Sequence, residues 1–143
     1  MKIQFDRSQR AMIVYNDDNK FMKSWECHDD FVPGDNDNGE PHESLPNGEY
    51  NCYVNLPVDM PPCPHTMDNI PYGTAFIYTG DPRGRGIHGG GSGLSDPFAP
   101  RQADDEGWVP TYGCLRMNNE DVEELANMVI DNGNTMPLEV IDG

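Results

Sequence analysis

The chain has 143 residues, 36% of them hydrophobic, enough for one modest core and too short for two ordinary domains. Nine Lys and Arg against 25 Asp and Glu leave a net charge of −16, a surface that repels nucleic acid and anionic lipid and excludes both as natural partners. No apolar run approaches the roughly 18 residues of a membrane span.

The 15 Gly and 13 Pro, with short apolar runs between them, favour strands and long turns over a helical bundle. The expectation is one mainly β domain over residues 1–143. The first segment, Met1-Lys2-Ile3-Gln4-Phe5-Asp6-Arg7, meets charge before an apolar signal segment can form. That start fits a cytosolic protein, a cargo exported by another route, or an already trimmed form. Lys2–Phe5 and Ala11–Tyr15 read as short strands, and the turn Asn16-Asp17-Asp18-Asn19 leads into a third, Phe21–Cys27. From Asp29 to Glu43 periodicity disappears, and Gly34-Asp35-Asn36-Asp37-Asn38-Gly39 reads as an exposed loop. It lacks the glycine register, closing Glu and flanking helices of a calcium-binding hand.

Leu45-Pro46-Asn47-Gly48-Glu49-Tyr50 is a turn feeding a strand that runs to about Val54, and a Pro-rich connection follows to Pro71. Gly73–Thr79 is the most strand-like segment and is expected at the centre of the core. After the turn Asp81-Pro82-Arg83-Gly84 comes Gly86-Ile87-His88-Gly89. The stretch from Gly90 to Pro110, rich in Gly and Pro and without apolar periodicity, reads as a mobile flap. One helix begins after Met117, with Asn118 or Asn119 as cap, Glu120 and Asp121 at its positive end, and Gly133 as its stop. Val122, Leu125, Ala126 and Val129 form its apolar stripe. Pro137–Ile141 closes the chain as a strand.

Four cysteines, Cys27, Cys52, Cys63 and Cys114, are too few for a disulfide scaffold, and buried thiols are the expectation for those not used in chemistry. The segment Thr111-Tyr112-Gly113-Cys114-Leu115-Arg116-Met117, with His88 upstream, carries the sharpest chemistry. A thiol attacks as thiolate, and a nearby imidazole can take its proton. Gly113 allows a sharp turn that presents backbone N–H groups to an oxyanion. Arg116, two places beyond Cys114, shares its face if the segment is extended, where its forked donors suit a carboxylate.

In order along the chain stand Gln9-Arg10 with Val14-Tyr15, Pro46-Asn47-Gly48-Glu49-Tyr50, Ile87-His88-Gly89, Gly113-Cys114-Leu115-Arg116-Met117, and Asn119-Glu120-Asp121-Val122 with Leu125. This series resembles the L,D-transpeptidase catalytic domain family of the YkuD type. The resemblance implies a β-sandwich with one α-helix after the nucleophile. It also implies a peptidoglycan stem peptide as substrate and no cofactor or metal. The site of action would be the cell wall or periplasm. Cys114 would attack the carbonyl of the third stem residue, His88 would move protons, and Gly113 and Cys114 would steady the oxyanion. Arg116, with Thr111, Tyr112, Gly89 and Trp108, would contact substrate. Two departures stand out. Tyr112 replaces the family's usual His before Gly-Cys, and the 26 positions from His88 to Cys114 are more than most members have, which enlarges the loop beside the site.

Other readings are weaker. Cys27-His28 and Cys63-Pro64-His65, with His42 and Cys52, offer zinc ligands but lack paired spacing. Papain-like and NlpC-type peptidases place the nucleophile before the base, and sortases place Arg well beyond the Cys. A non-catalytic peptide-binding module on the same scaffold, with Trp108 and Tyr112 as contact surface, is the remaining alternative.

Overall fold

A computed structural model describes residues 1–55, 75–89 and 113–143. Two sheets enclose the core, and the larger has five strands. In chain order these are β1 (Lys2–Asp6), β2 (Ala11–Tyr15), β3 (Phe21–Glu26), β4 (Gly48–Cys52) and β8 (Met136–Ile141), laid out as β3-β2-β1-β8-β4. β8 enters between β1 and β4, parallel to the first and antiparallel to the second. Alternation decides which side chains go inward. Ile3, Phe5, Met12, Val14, Met136, Leu138 and Val140 are buried, each burial stabilising by roughly 1.5–3 kcal/mol. Gln4 and Glu139 lie on the opposite face, where the Gln4 amide donates to the Glu139 carboxylate at 2.8 Å.

The smaller sheet is made of β5 (Phe76–Ile77), β6 (Ile87–His88) and β7 (Leu115–Arg116), in that order. β5 is antiparallel to β6, and β6 is parallel to β7. Isolated bridges extend both sides, Tyr53 to Tyr78 and His28 to Arg116. The segment expected at the core's centre therefore lies to one side of a short sheet. Its residues Ala75 and Ile77 join the core beneath the sheet's inner face, and Phe76 is buried on the opposite face beside His88.

The helix α1 (Asn119–Asp131) buries Val122, Leu125, Ala126 and Val129, the stripe read from the sequence. Asn118 is the N-cap, yet its side chain makes no capping hydrogen bond. Its carbonyl accepts from Asp121 and Val122 instead. Gly133, at φ +80°, ends the helix and donates to the Ile130 carbonyl at 3.2 Å. Glu124 of α1 pairs with Lys23 and so ties the helix to edge strand β3.

The acidic stretch after β3 is irregular, and three arginines pin it. Arg7 reaches Asp29, Ser44, the Leu45 carbonyl, Asn47 and Asp142. Arg83 donates to Glu43 at 3.0 Å and to the Pro41 carbonyl at 2.9 Å. Arg85 donates to the carbonyls of Glu43 and Ser44. In a chain this acidic, the few cations go where the loop's carboxylates and carbonyls converge. None of the described helices is long and apolar enough to cross a membrane.

Candidate active site

β6 and β7 bring the two sequence-predicted reactive residues together. The Leu115 amide donates to the Gly86 carbonyl at 2.9 Å and the Met117 amide to the His88 carbonyl at 2.8 Å. This register sets Ile87 beside Leu115 and His88 beside Arg116. In a parallel pair, neighbours in register point to the same side of the sheet. Ile87 and Leu115 face the core at 0% exposure, so His88 and Arg116 share the other face. Cys114 stands just before β7, two residues ahead of Arg116, and alternation along an extended segment points it to the same face.

Two glycines set the backbone around Cys114. Gly113 has φ +132°, a conformation that L side chains rarely adopt. A Cβ there would stand 2.4 Å from the Glu43 carbonyl oxygen and 3.0 Å from Arg85 Cδ. Gly86 donates its N–H to Cys114 Sγ at 3.5 Å, and a Cβ on Gly86 would strike the Ile77 carbonyl oxygen and the Phe76 ring at 2.6 Å.

His88 is 1% exposed. Its Nδ1 lies 2.7 Å from the Gly89 carbonyl oxygen. A carbonyl only accepts, so Nδ1 carries the proton and Nε2 is left as the basic nitrogen. Phe76 stacks on the ring, with centroids 5.9 Å apart and planes 9° apart. Gly89 is tight against the helix, since a Cβ there would meet Asn119 Oδ1 at 2.3 Å. Gly89 thus orients the His88 ring through its carbonyl and admits the start of α1 beside it.

Burial controls both titrations. It lowers the His88 pKa to about 4, further depressed by the Arg116 charge and partly offset by the Gly89 hydrogen bond. It raises that of the Cys114 thiol, while the Gly86 N–H and Arg85 pull it back and Asp81 pushes it up. Cys114 keeps partial exposure, but the surroundings are dense enough for desolvation to dominate. The resting pair is therefore neutral thiol and neutral imidazole, whereas the residue types alone suggest a thiolate beside an imidazolium. Cys27 and Cys52 are fully buried free thiols. Burial raises both, Cys52 to about 12, which makes them poor nucleophiles.

Three participants escaped the sequence reading. His28 pairs with Arg116 through two backbone hydrogen bonds of 3.0 and 2.8 Å, which sets its side chain on the same face. Phe76, His88, Arg116 and His28 thus form one row across the strands, and His28 Nε2 lies 2.7 Å from a Glu26 carboxylate oxygen. Only strand pairing reveals this, because His28 and Arg116 are remote in the chain. Arg85 and Asp81 are the other two. Arg85 Nε and Nη2 meet the Asp81 carboxylate at 2.8 and 3.0 Å. The available signal was the placement of two of only nine cations, Arg83 and Arg85, just before the His88 segment. A cavity of about 510 Å³ opens beside Arg85, lined also by Asp35, Asn36, Asp37, His42 and Arg83.

Arg116 is 1% exposed, a fully enclosed cation in the sheet. Thr111, Tyr112 and Trp108, the Gly90–Pro110 stretch and Cys63 lie outside the described residues. Among the described residues, no three His, Cys, Asp or Glu side chains gather as metal ligands.

A small fold of two β-sheets and one helix, with Cys114 after a glycine turn and His88 held by the Gly89 carbonyl, defines the class of scaffold. Residues 1–139 match the L,D-transpeptidase catalytic domain family (YkuD), and the chain belongs to that family. Its fold is similar to that of the L,D-transpeptidase (residues 123-326) from Xylanimonas cellulosilytica DSM 15894, at 14% identity and a TM-score of 0.50. That match covers 97% of this chain and 59% of the other. No curated protein matches the chain.

Proposed function

We propose that this protein transfers acyl groups of peptidoglycan stem peptides through a thioester on Cys114. The observation that supports the reading is the His88 Nδ1 proton committed to the Gly89 carbonyl, on the strand beside the one that Cys114 leads into. Because the resting pair is neutral, His88 Nε2 takes the thiol proton as Sγ bonds to the carbonyl carbon at the third stem residue. Backbone N–H groups of Gly113 and Cys114 receive the oxyanion. Collapse breaks the amide bond, and the proton on His88 passes to the departing amine of the terminal D-amino acid. An incoming amine then gives a cross-link or an exchanged terminus, and water gives a shortened peptide. The arrangement itself requires no cofactor or metal for these steps.

Tyr112 in place of a second imidazole and the longer loop after His88 alter the acceptor side. Shortened and exchanged peptides are therefore expected among the main products. Purified muropeptides incubated with the protein should yield them by mass, and Cys114→Ala should yield none. Cys27→Ala, Cys52→Ala and Cys63→Ala should keep most of the activity. Full activity in Cys114→Ala would falsify the mechanism.

The raised Cys114 thiol and depressed His88 basicity favour one second reading, a peptide-binding module with an idle thiol. A thiol probe separates the two. An active nucleophile alkylates rapidly near neutral pH, and an inert one does not.

A further inference from the structure

We propose that Arg85, clamped by Asp81, is a positioning residue of the Cys114 site, fixing the Gly113 turn and presenting a positive charge to the thiolate as it forms. The inference deepens the acyl-transfer reading and rests on it.

Arg85 spends four of its five side-chain donors on structure. Nε and Nη2 grip the two Asp81 oxygens, and the Asp81 carboxylate also accepts the Arg85 backbone N–H at 3.1 Å. Nη1 reaches the carbonyls of Glu43 and Ser44 at 3.2 and 3.3 Å. The side chain is 8% exposed, so these bonds are shielded from water and hold one conformation. Gly113 sits on this clamp, and the place a side chain would take there is already crowded by the Glu43 carbonyl oxygen and Arg85 Cδ. The next residue along from Arg85, Gly86, supplies the N–H that meets Cys114 Sγ. One residue thus sets both the turn before the nucleophile and the donor that touches its sulfur.

The charges around the sulfur oppose each other. Arg85 favours the thiolate and Asp81 disfavours it, with Glu43 and Tyr50 the other groups that act on Arg85 and Arg116 acting on His88. Holding Asp81 in a fork thus moderates the help Arg85 gives. This opposition separates an electrostatic role from a merely structural one. Removing either partner of a structural clamp would impair the site in the same way. Removing one of two opposed charges moves the thiol in opposite directions.

The test measures alkylation of Cys114 by iodoacetamide from about pH 5 to 11, a range that runs past the ordinary thiol value of roughly 8.5 toward the higher one that burial imposes, with the site assigned by peptide mass. Arg85→Gln should shift the profile to higher pH and slow reaction at neutral pH by about tenfold. Arg85→Lys keeps the charge and should restore the position of the profile. Asp81→Asn keeps an acceptor oxygen for Arg85 but removes the opposing charge, and should shift the profile to lower pH with a comparable acceleration. Circular dichroism checks folding, and if Arg85→Gln does not fold, the downward shift in Asp81→Asn carries the test. Unshifted profiles, or an upward shift in both Arg85→Gln and Asp81→Asn, overturn the inference while leaving acyl transfer intact. A wild-type Cys114 that stays unalkylated across the range overturns the acyl-transfer reading, and this inference with it.

Discussion

The His88 Nδ1 proton rests on the Gly89 carbonyl, and the ring lies stacked on Phe76, out of water. A histidine in solution gains its second proton near pH 6.5, but this ring does so only near about 4. A base works unprotonated, so activity should rise with pH through about 4 and already be level at 6.5. Initial rates across this range should show that limb, and a limb centred near 6.5 would mean that water solvates the ring. His88→Ala should lose on the order of a hundredfold or more, the scale of general-base catalysis. Tyr112→Phe keeps an aromatic ring and should cost far less, because a phenol with a pKa near roughly 10 is no base at neutral pH. If Tyr112→Phe is the inactive variant and His88→Ala still alkylates rapidly, the base has been misassigned. Gly113 imposes a second constraint at this scale. Gly113→Ala puts a methyl against the Glu43 carbonyl at a positive φ and should cost about 1–3 kcal/mol in stability. Thermal melting and Cys114 reactivity should fall together in that variant.

Among the elements, α1 follows the nucleophile strand after two residues and packs its apolar stripe on the inner face of the small sheet. Leu125 is fully buried, and Leu125→Ala should destabilise by roughly 2–5 kcal/mol in chemical denaturation. The helix also packs beside Gly89, so loosening it should lower turnover as well. A Leu125→Ala variant that melts early yet keeps full rate would show that α1 supports the fold and not the base. β7 has the opposite character. It contributes only two residues, bonded on one side to β6 and on the other to His28. Its small length is enough because it only has to join the His88 strand to the His28 segment and fix Arg116 between them.

For the whole molecule, acid should act in two stages. The folded-state pKa of His88 lies below its unfolded value, so the unfolded chain binds more protons between about 6.5 and 4. Stability therefore falls as pH drops through that window, by at most roughly 3 kcal/mol from this residue. His88→Gln should flatten the melting temperature there. Asp81 follows at lower pH. Burial pushes its carboxyl up, but hydrogen bonds from Arg85 outweigh this and hold it below the ordinary carboxylate value. Its contribution is present above about 3.8 and is lost as pH falls through the lower folded value. Both proteins should therefore lose stability below pH 4. A melting temperature equally pH-dependent in wild type and His88→Gln would rule out His88 as the first sensor.

Short-range physics made much of this legible in the sequence. Period-two burial marks β1, β2 and β8 within a residue of their ends, and Val122, Leu125, Ala126 and Val129 mark the helix face. The family itself was legible in the ordered motifs around His88 and Cys114, and the match over residues 1–139 bears it out. Of the two expected caps, Asn118 and Asn119, Asn118 is the N-cap, through its backbone carbonyl and without a side-chain bond. Tertiary structure decided the rest. The sequence shows a last strand but not that β8 inserts between β1 and β4, because strand order depends on contacts across the whole chain. Nor could spacing reveal that His28 lies across from Arg116, or that Arg85 backs Gly113 through a carbonyl some seventy residues earlier. Burial is likewise a property of the assembled core, and it turns an expected thiolate–imidazolium pair into a neutral one.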